Sequence, residues 1–158
     1  MYVPKVYENI IKTIYQKIGY KREIITENTK TQYSIKGKGH VTTTLRTDHN
    51  QGIISIQKLG INTLNEIRFI LKQLRLQRVD CIYVDLPTKK KGAGYIASKL
   101  RGLGFFYGYI IPEYSDSDVL RLQYLNNVEI SKDDIKTASK FGEKLLNFIF
   151  NDWSKVSK

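Results

Sequence analysis

LGFFYGYIIPEYSDSDVLRLQYLNN, residues Leu103 to Asn127, gathers Phe105, Phe106, Tyr107, Tyr109, Tyr114 and Tyr124 within one segment of a basic chain. Such a segment is either a platform on which nucleic-acid bases stack or the inside of a sheet. Alternation favours the sheet. Phe106, Gly108 and Ile110 fall on one side of an extended chain, and Phe105, Tyr107, Tyr109 and Ile111 on the other. After Pro112 and the turn composition of Ser115 to Asp118, Val119, Arg121, Gln123 and Leu125 alternate against Leu120, Leu122, Tyr124 and Asn126. The expectation is two strands joined by a turn.

The charge distribution points the same way. The chain carries a formal net charge of +11, with +6 in residues 1–60, +6 in residues 61–103 and −1 in residues 104–158. The aromatic segment therefore lies in the only third without a basic excess, whereas single-strand binders line their stacking surfaces with Lys and Arg.

Working outward, GLGF before the first strand closes a helix expected from about Ala93 to Arg101. Before that helix, Val79 to Pro87 (VDCIYVDLP) is a nearly continuous apolar run, suited to an interior strand covered on both faces. Leu64, Ile67, Ile70, Leu71 and Leu74 predict a helix over Asn62–Gln77, with Thr63 and Glu66 as a T-x-x-E capping box. Thr31 to Leu59 reads as two antiparallel strands turning at Asp48–Gly52, and KREIIT as a short strand. Helical spacing from Val3 to Ile18 ends at Gly19. At the other end, ISKDDIKTASKFGEKLLNFIFNDW reads as an amphipathic helix capped by Ser131. No repeat, low-complexity tract or linker divides residues 1–158, so a single α+β domain is expected.

Composition narrows the function classes. A hydrophobic share of 41% and a charged share of 26% are those of a globular protein, and no apolar run reaches a membrane span. One cysteine allows no internal disulfide, and with two histidines it assembles no zinc site. Cytoplasmic residence is the default expectation. Cys81 reads as an inert strand thiol, His40 and His49 as surface groups, and Asp116-x-Asp118 as turn chemistry rather than a metal site. Arg68, Lys72 and Arg75 form a basic stripe on one helix, with Lys89, Lys90 and Lys91 and then Lys36 and Lys38 as further clusters. Their plain reading is a solvated surface, and the functional alternative is a phosphate-rich partner.

SKLRGLGFFYGYIIP, VPKVYENIIKTIYQKIGYKRE and GFFYGYIIPEYSDSDVLRLQYLNN resemble segments of the GNAT (N-acetyltransferase) superfamily. The likeness is to a bacterial branch often found C-terminal to an anti-sigma-factor-type ATPase module. It implies a mixed, largely antiparallel central sheet flanked by helices on both faces, with a C-terminal helix appended. It also implies acetyl-CoA or coenzyme A as ligand, and a partner protein or fused ATPase module.

The family's pyrophosphate loop, of pattern Q/R-x-x-G-x-G/A, aligns with IQKLGINTLNEI. This assigns cofactor contact to Ile56, Gln57, Lys58, Leu59, Gly60, Asn62 and Thr63. Asn62 stands where the family has a second glycine. Leu100 stands where it has an acidic Tyr, and TKKKGAG lacks its Asn. Tyr95 sits about one and a half turns too early on the helix to replace that Tyr. No pattern singles out a base among Asp85, Glu113 and Tyr114, so the catalytic residues are unassigned. The main expectation is therefore a GNAT-fold domain, degenerate for standard acetyltransfer, acting as a regulatory or ligand-sensing module. An active acyl-CoA-dependent N-acetyltransferase with a non-standard site is the alternative, and a non-specific nucleic-acid binder using Arg68, Lys72 and Arg75 is the second.

Overall fold

The computed structural model describes residues 1–27, 35–114 and 116–157. The elements are β1 (Tyr2–Pro4), α1 (Glu8–Ile18), β2 (Ile25–Glu27), β3 (His40–Arg46), β4 (Gln51–Lys58), α2 (Thr63–Leu76), β5 (Cys81–Pro87), α3 (Ala93–Arg101), β6 (Phe106–Tyr114), β7 (Ser117–Leu125) and α4 (Lys140–Val156). β1 and β2 pair in parallel, and the other five strands form one sheet in the order β3-β4-β5-β7-β6. Within that sheet only the β4–β5 neighbours run parallel. This is the α+β arrangement, with a mixed and largely antiparallel central sheet and an appended C-terminal helix, that the family resemblance implies.

One sheet face carries Ile54 and Ile56 of β4, Ile82, Val84 and Leu86 of β5, Leu120 and Leu122 of β7, and Tyr107 and Ile110 of β6, all buried. Against it pack Ile67, Leu71 and Leu74 of α2, Ile96, Ala97 and Leu100 of α3, and Ile10, Ile11 and Tyr15 of α1. α4 runs along β6 and reaches the opposite face, where Trp153 stacks on Phe106 with ring centroids 5.5 Å apart. Cys81 and Tyr83 on that opposite face are only half-buried, so β5 is interior by strand order but covered by helices mainly on one side.

Four local expectations are revised. A β-bulge places Tyr107 opposite Leu122 but Tyr109 opposite Arg121, with Gly108 as the extra residue. Tyr107 and Ile110 therefore share the core face, while Phe106 and Tyr109 share the other. The bulge needs glycine, because a Cβ on Gly108 would meet the Arg121 carbonyl oxygen at 2.9 Å.

The first helix does not begin at Val3. Tyr2–Pro4 is a strand, and a 3-10 turn over Lys5–Tyr7 leads into α1. The last helix does not begin at Ser131, which caps only the 3-10 turn Lys132–Asp134. Ser139 caps α4 by accepting from the Gly142 amide.

The Thr63–Glu66 capping box is also absent. Asn62 is the N-cap, Thr63 Oγ1 accepts from the Gly60 amide, and Glu66 accepts from Asn62 Nδ2. Of the strand expected to start at Thr31, residues 31–34 lie outside the described residues, and the described strand starts at His40. Ser115 of the SDSD turn also lies outside them.

Candidate functional site: the cleft where β4 and β5 part

The parallel ladder between β4 and β5 ends at Ser55 opposite Asp85. Beyond it β4 stays with β3, through Val41–Ile56 and His40–Lys58, while β5 stays with β7, through Leu86–Leu120 and Pro87–Val119. Each strand follows its outer neighbour, and the two part like the arms of a V. Between the arms lies a cavity of about 230 Å³, walled by Ser55, Gln57 and Leu59 on one side and by Asp85, Pro87 and Val119 on the other. Lys58, Lys89, Lys90 and Tyr114 stand at its rim, and Lys89 pairs with Asp116 at 3.3 Å.

The sequence-assigned loop divides at this cleft. Ile56, Gln57, Lys58 and Leu59 line it, whereas Gly60, Asn62 and Thr63 do not. Ile61 and Asn62 bond to the chain segment ahead of β3, while Gly60 and Thr63 bond to each other. The Ile61 amide donates to the Gly37 carbonyl at 3.0 Å, and the Gly39 amide to Asn62 Oδ1 at 2.7 Å. The Gly60 amide donates to Thr63 Oγ1 at 2.9 Å, and the Thr63 amide to the Gly60 carbonyl at 3.1 Å.

Gly60 is a glycine because another backbone lies against it. A Cβ there would stand 1.9 Å from the Gly39 nitrogen. A pyrophosphate needs a run of converging amides with open space before them. Here the amides of Gly60, Ile61 and Thr63 are spent within the chain, and Gly37–Gly39 occupies the approach. These residues do not fit the diphosphate of coenzyme A in the manner the family pattern implies.

Two of the proton-transfer candidates, Asp85 and Glu113, are equally committed. Arg121 grips Asp85 with two bonds of 2.6 Å, donates from Nη1 to the Tyr109 hydroxyl at 2.5 Å, and lies 5.3 and 5.2 Å from the ring centroids of Tyr83 and Tyr109. The bonds to Asp85 come first among the causes that raise the Arg121 pKa further. Glu113 accepts from Arg22 Nη2 at 2.9 Å and adopts a left-handed backbone with φ 52°.

Asp118, buried, accepts from Arg22 Nε at 2.7 Å and from the Glu113 amide at 2.8 Å. Burial pushes its carboxyl up, but the Arg22 and Glu113 bonds outweigh it and the net direction is down. Leu100 is fully buried. Of the three candidates, Asp85 and Tyr114 line the cleft, and Tyr114 is exposed there, at 57%.

No protein-family model and no curated protein matches the chain. Among solved structures it is similar to Ard1 from Thermoplasma volcanium, with 14% identity and a TM-score of 0.42. That match covers 58% of this chain and 64% of the other, less than two thirds of its length.

The remaining candidates stay structural. Burial first, and Asp80 second, push the half-buried Cys81 thiol up, away from the reactive thiolate. His40 is exposed at the start of β3, and His49 pairs with Asp48. Among the described residues no three His, Cys, Asp or Glu groups could hold a metal ion, and no helix is long and apolar enough to cross a membrane.

On the basic stripe of α2, Arg68 bonds to Asn65 and Arg75 covers Tyr124, so only Lys72 points outward without a partner among the described residues. Sequence reasoning missed the Asp85–Arg121–Tyr109 and Arg22–Asp118–Glu113 groups. Alternation places Arg121 on a known side of its strand, but only the β5–β7 register sets it opposite Asp85.

Proposed function

We propose that this chain is a GNAT-like domain that senses a compact anionic ligand in the β4–β5 cleft and does not carry out standard acetyltransfer. The observation that carries this reading is the loop after β4, whose amides at Gly60, Ile61 and Thr63 bond to the chain itself while Gly37–Gly39 fills the diphosphate approach. The cleft itself persists, and the cations of Lys58 and Lys90 stand around it beside the Lys89–Asp116 pair. Its size, about 230 Å³, falls below the roughly 300–1,000 Å³ of drug-sized ligand sites, which favours a small phosphate-bearing molecule over a whole acyl-CoA. The resemblance to domains that follow an ATPase module suits a sensor that reports to a partner protein.

The test has two arms. In the first, the chain is incubated with acetyl-CoA and a panel of amines while release of free thiol is followed. No release above the uncatalysed background is expected, and saturable turnover would overturn the reading. In the second, thermal unfolding is followed with pyrophosphate and with adenosine 3′,5′-bisphosphate. A concentration-dependent rise in Tm is expected, lost in the Lys58→Glu/Lys90→Glu double variant. The absence of any rise would remove the cleft as an anion site.

The alternative, N-acetyltransfer through a non-standard site, is favoured by one observation: the exposed Tyr114 hydroxyl stands at the cleft rim. Should turnover appear, Tyr114→Phe should lower kcat by at least about a hundredfold, in line with the usual size of general acid–base effects.

A further inference from the structure

We infer that the chain self-associates through β3, with two copies pairing antiparallel about Thr43 so that their five-stranded sheets become one. β3 ends the strand order, and no described strand lies on its outer side. The other end of the sheet is closed differently, since α4 runs along β6 and its Asp152 accepts from the Tyr107 amide.

An edge strand offers a row of backbone donors and acceptors, and proteins that stay monomeric blunt it with Lys, Pro, inward-pointing charges or a cover. Among the described residues β3, HVTTTLR, carries no Lys, Pro, charge or covering strand between its two terminal residues, and its register irregularity lies at the very start, between His40 and Val41. Thr42, Thr43 and Thr44 are all exposed, and β-branched residues of this kind favour strand pairing.

What selects a second copy, rather than a foreign strand, is that β3 complements itself. Reversed about Thr43, the strand sets Thr42 opposite Thr44, Val41 opposite Leu45, and His40 opposite Arg46, with Thr43 facing its own copy. Hydroxyls meet hydroxyls, an apolar pair forms twice, and no carboxylate is left facing another. In antiparallel strands such opposed residues share a face.

Val41, Thr43 and Leu45 pair with Ile56, Ile54 and Gly52, so they lie on the side of the sheet that carries α2. There Phe69 of α2 is 65% exposed and shares a groove with His40, Val41 and Ile70, and Leu45 is 45% exposed. In the pair, the partner's Leu45 comes beside Val41 and next to Phe69, which covers apolar surface that the single chain leaves to water. The opposing term is charge: each copy carries +11, so association strengthens as salt screens the repulsion.

The experiment is sedimentation velocity of the full chain over a concentration series at moderate salt. The mass should climb from one chain towards two with concentration, and the dimer should weaken when salt is lowered. Thr43→Lys and Thr43→Glu should each weaken the dimer at least tenfold, because each puts like charges face to face at the twofold axis. Mixing the two variants should restore a dimer containing one of each, and circular dichroism of each variant should match the parent. A single-chain mass at every concentration overturns the inference. So does a dimer that both variants leave intact, or a mixture of the two that stays monomeric.

Discussion

Gly60 shows how one residue type can serve two different needs at the same place. In a pyrophosphate loop a glycine lets phosphate approach the backbone, but here it lets the Gly37–Gly39 segment approach instead. Gly60→Ala would set a Cβ 1.9 Å from the Gly39 nitrogen and 2.5 Å from its Cα, atoms that cannot swing aside. The expected loss is about 3 kcal/mol in urea unfolding, the upper end of ordinary overpacking, and it should be the same with or without acetyl-CoA. An unchanged stability with only ligand binding lost would assign the glycine to a ligand after all.

Asp118 makes a second case at this scale, because its folded pKa is depressed. Its contribution is therefore complete above the unfolded carboxyl value and disappears as pH falls through the lower folded one. Asp118→Asn should cost about 2 kcal/mol near neutral pH, the range for hydrogen bonds to a charged group. The parent and variant curves should converge in acid; a gap that stays constant down to the lowest accessible pH would contradict this assignment.

At the scale of elements, α4 docks through one buried carboxylate set among half-buried apolar contacts of Leu145, Phe148 and Ile149. Asp152 is its only buried residue, and it accepts from the Tyr7 hydroxyl at 2.7 Å, the Tyr107 amide at 2.8 Å and Arg101 Nη2 at 2.5 Å. Phe148 adds edge-on contacts with Tyr7 and Tyr107. Asp152→Ala leaves Arg101 inside without its partner and should cost about 3–5 kcal/mol. Amide exchange across residues 140–156 should accelerate ahead of the rest of the chain; equal acceleration everywhere would mean that α4 does not undock on its own.

The extent of α2 and α3 was legible because their apolar spacing persists over several turns. The start of α4 was not, because Ser131 and Ser139 are both competent caps and nothing local ranks them. Nor was the cap of α3, where the buried Glu27 carboxylate accepts from the Gly92 and Tyr95 amides across more than sixty residues of sequence. The bulge at Gly108 belongs with these, since a glycine in a strand permits a bulge without dictating one.

Across the whole molecule, the succession of most helices and strands along the chain was within reach of the sequence, but the strand order, the cleft and its chemistry depended on registers that only the folded sheet fixes. The same limit applies to charge. Composition gives +11, yet it does not say that three carboxylates, Asp85, Asp118 and Asp152, are each taken up by an arginine in a buried or half-buried pair. Those pairs are shielded from solvent ions and respond little to salt, while the surplus lysines repel one another across water. Moderate salt should therefore raise the melting temperature of the dilute chain, in a single cooperative transition if residues 1–158 form one domain. Sodium chloride is the salt to use, because sulfate would also strengthen apolar burial and confuse the cause. Replacing Lys72 by Gln should flatten the dependence. A melting temperature that instead falls with salt would show that solvent-exposed ion pairs, such as Lys12–Glu8 and Lys89–Asp116, outweigh the net repulsion.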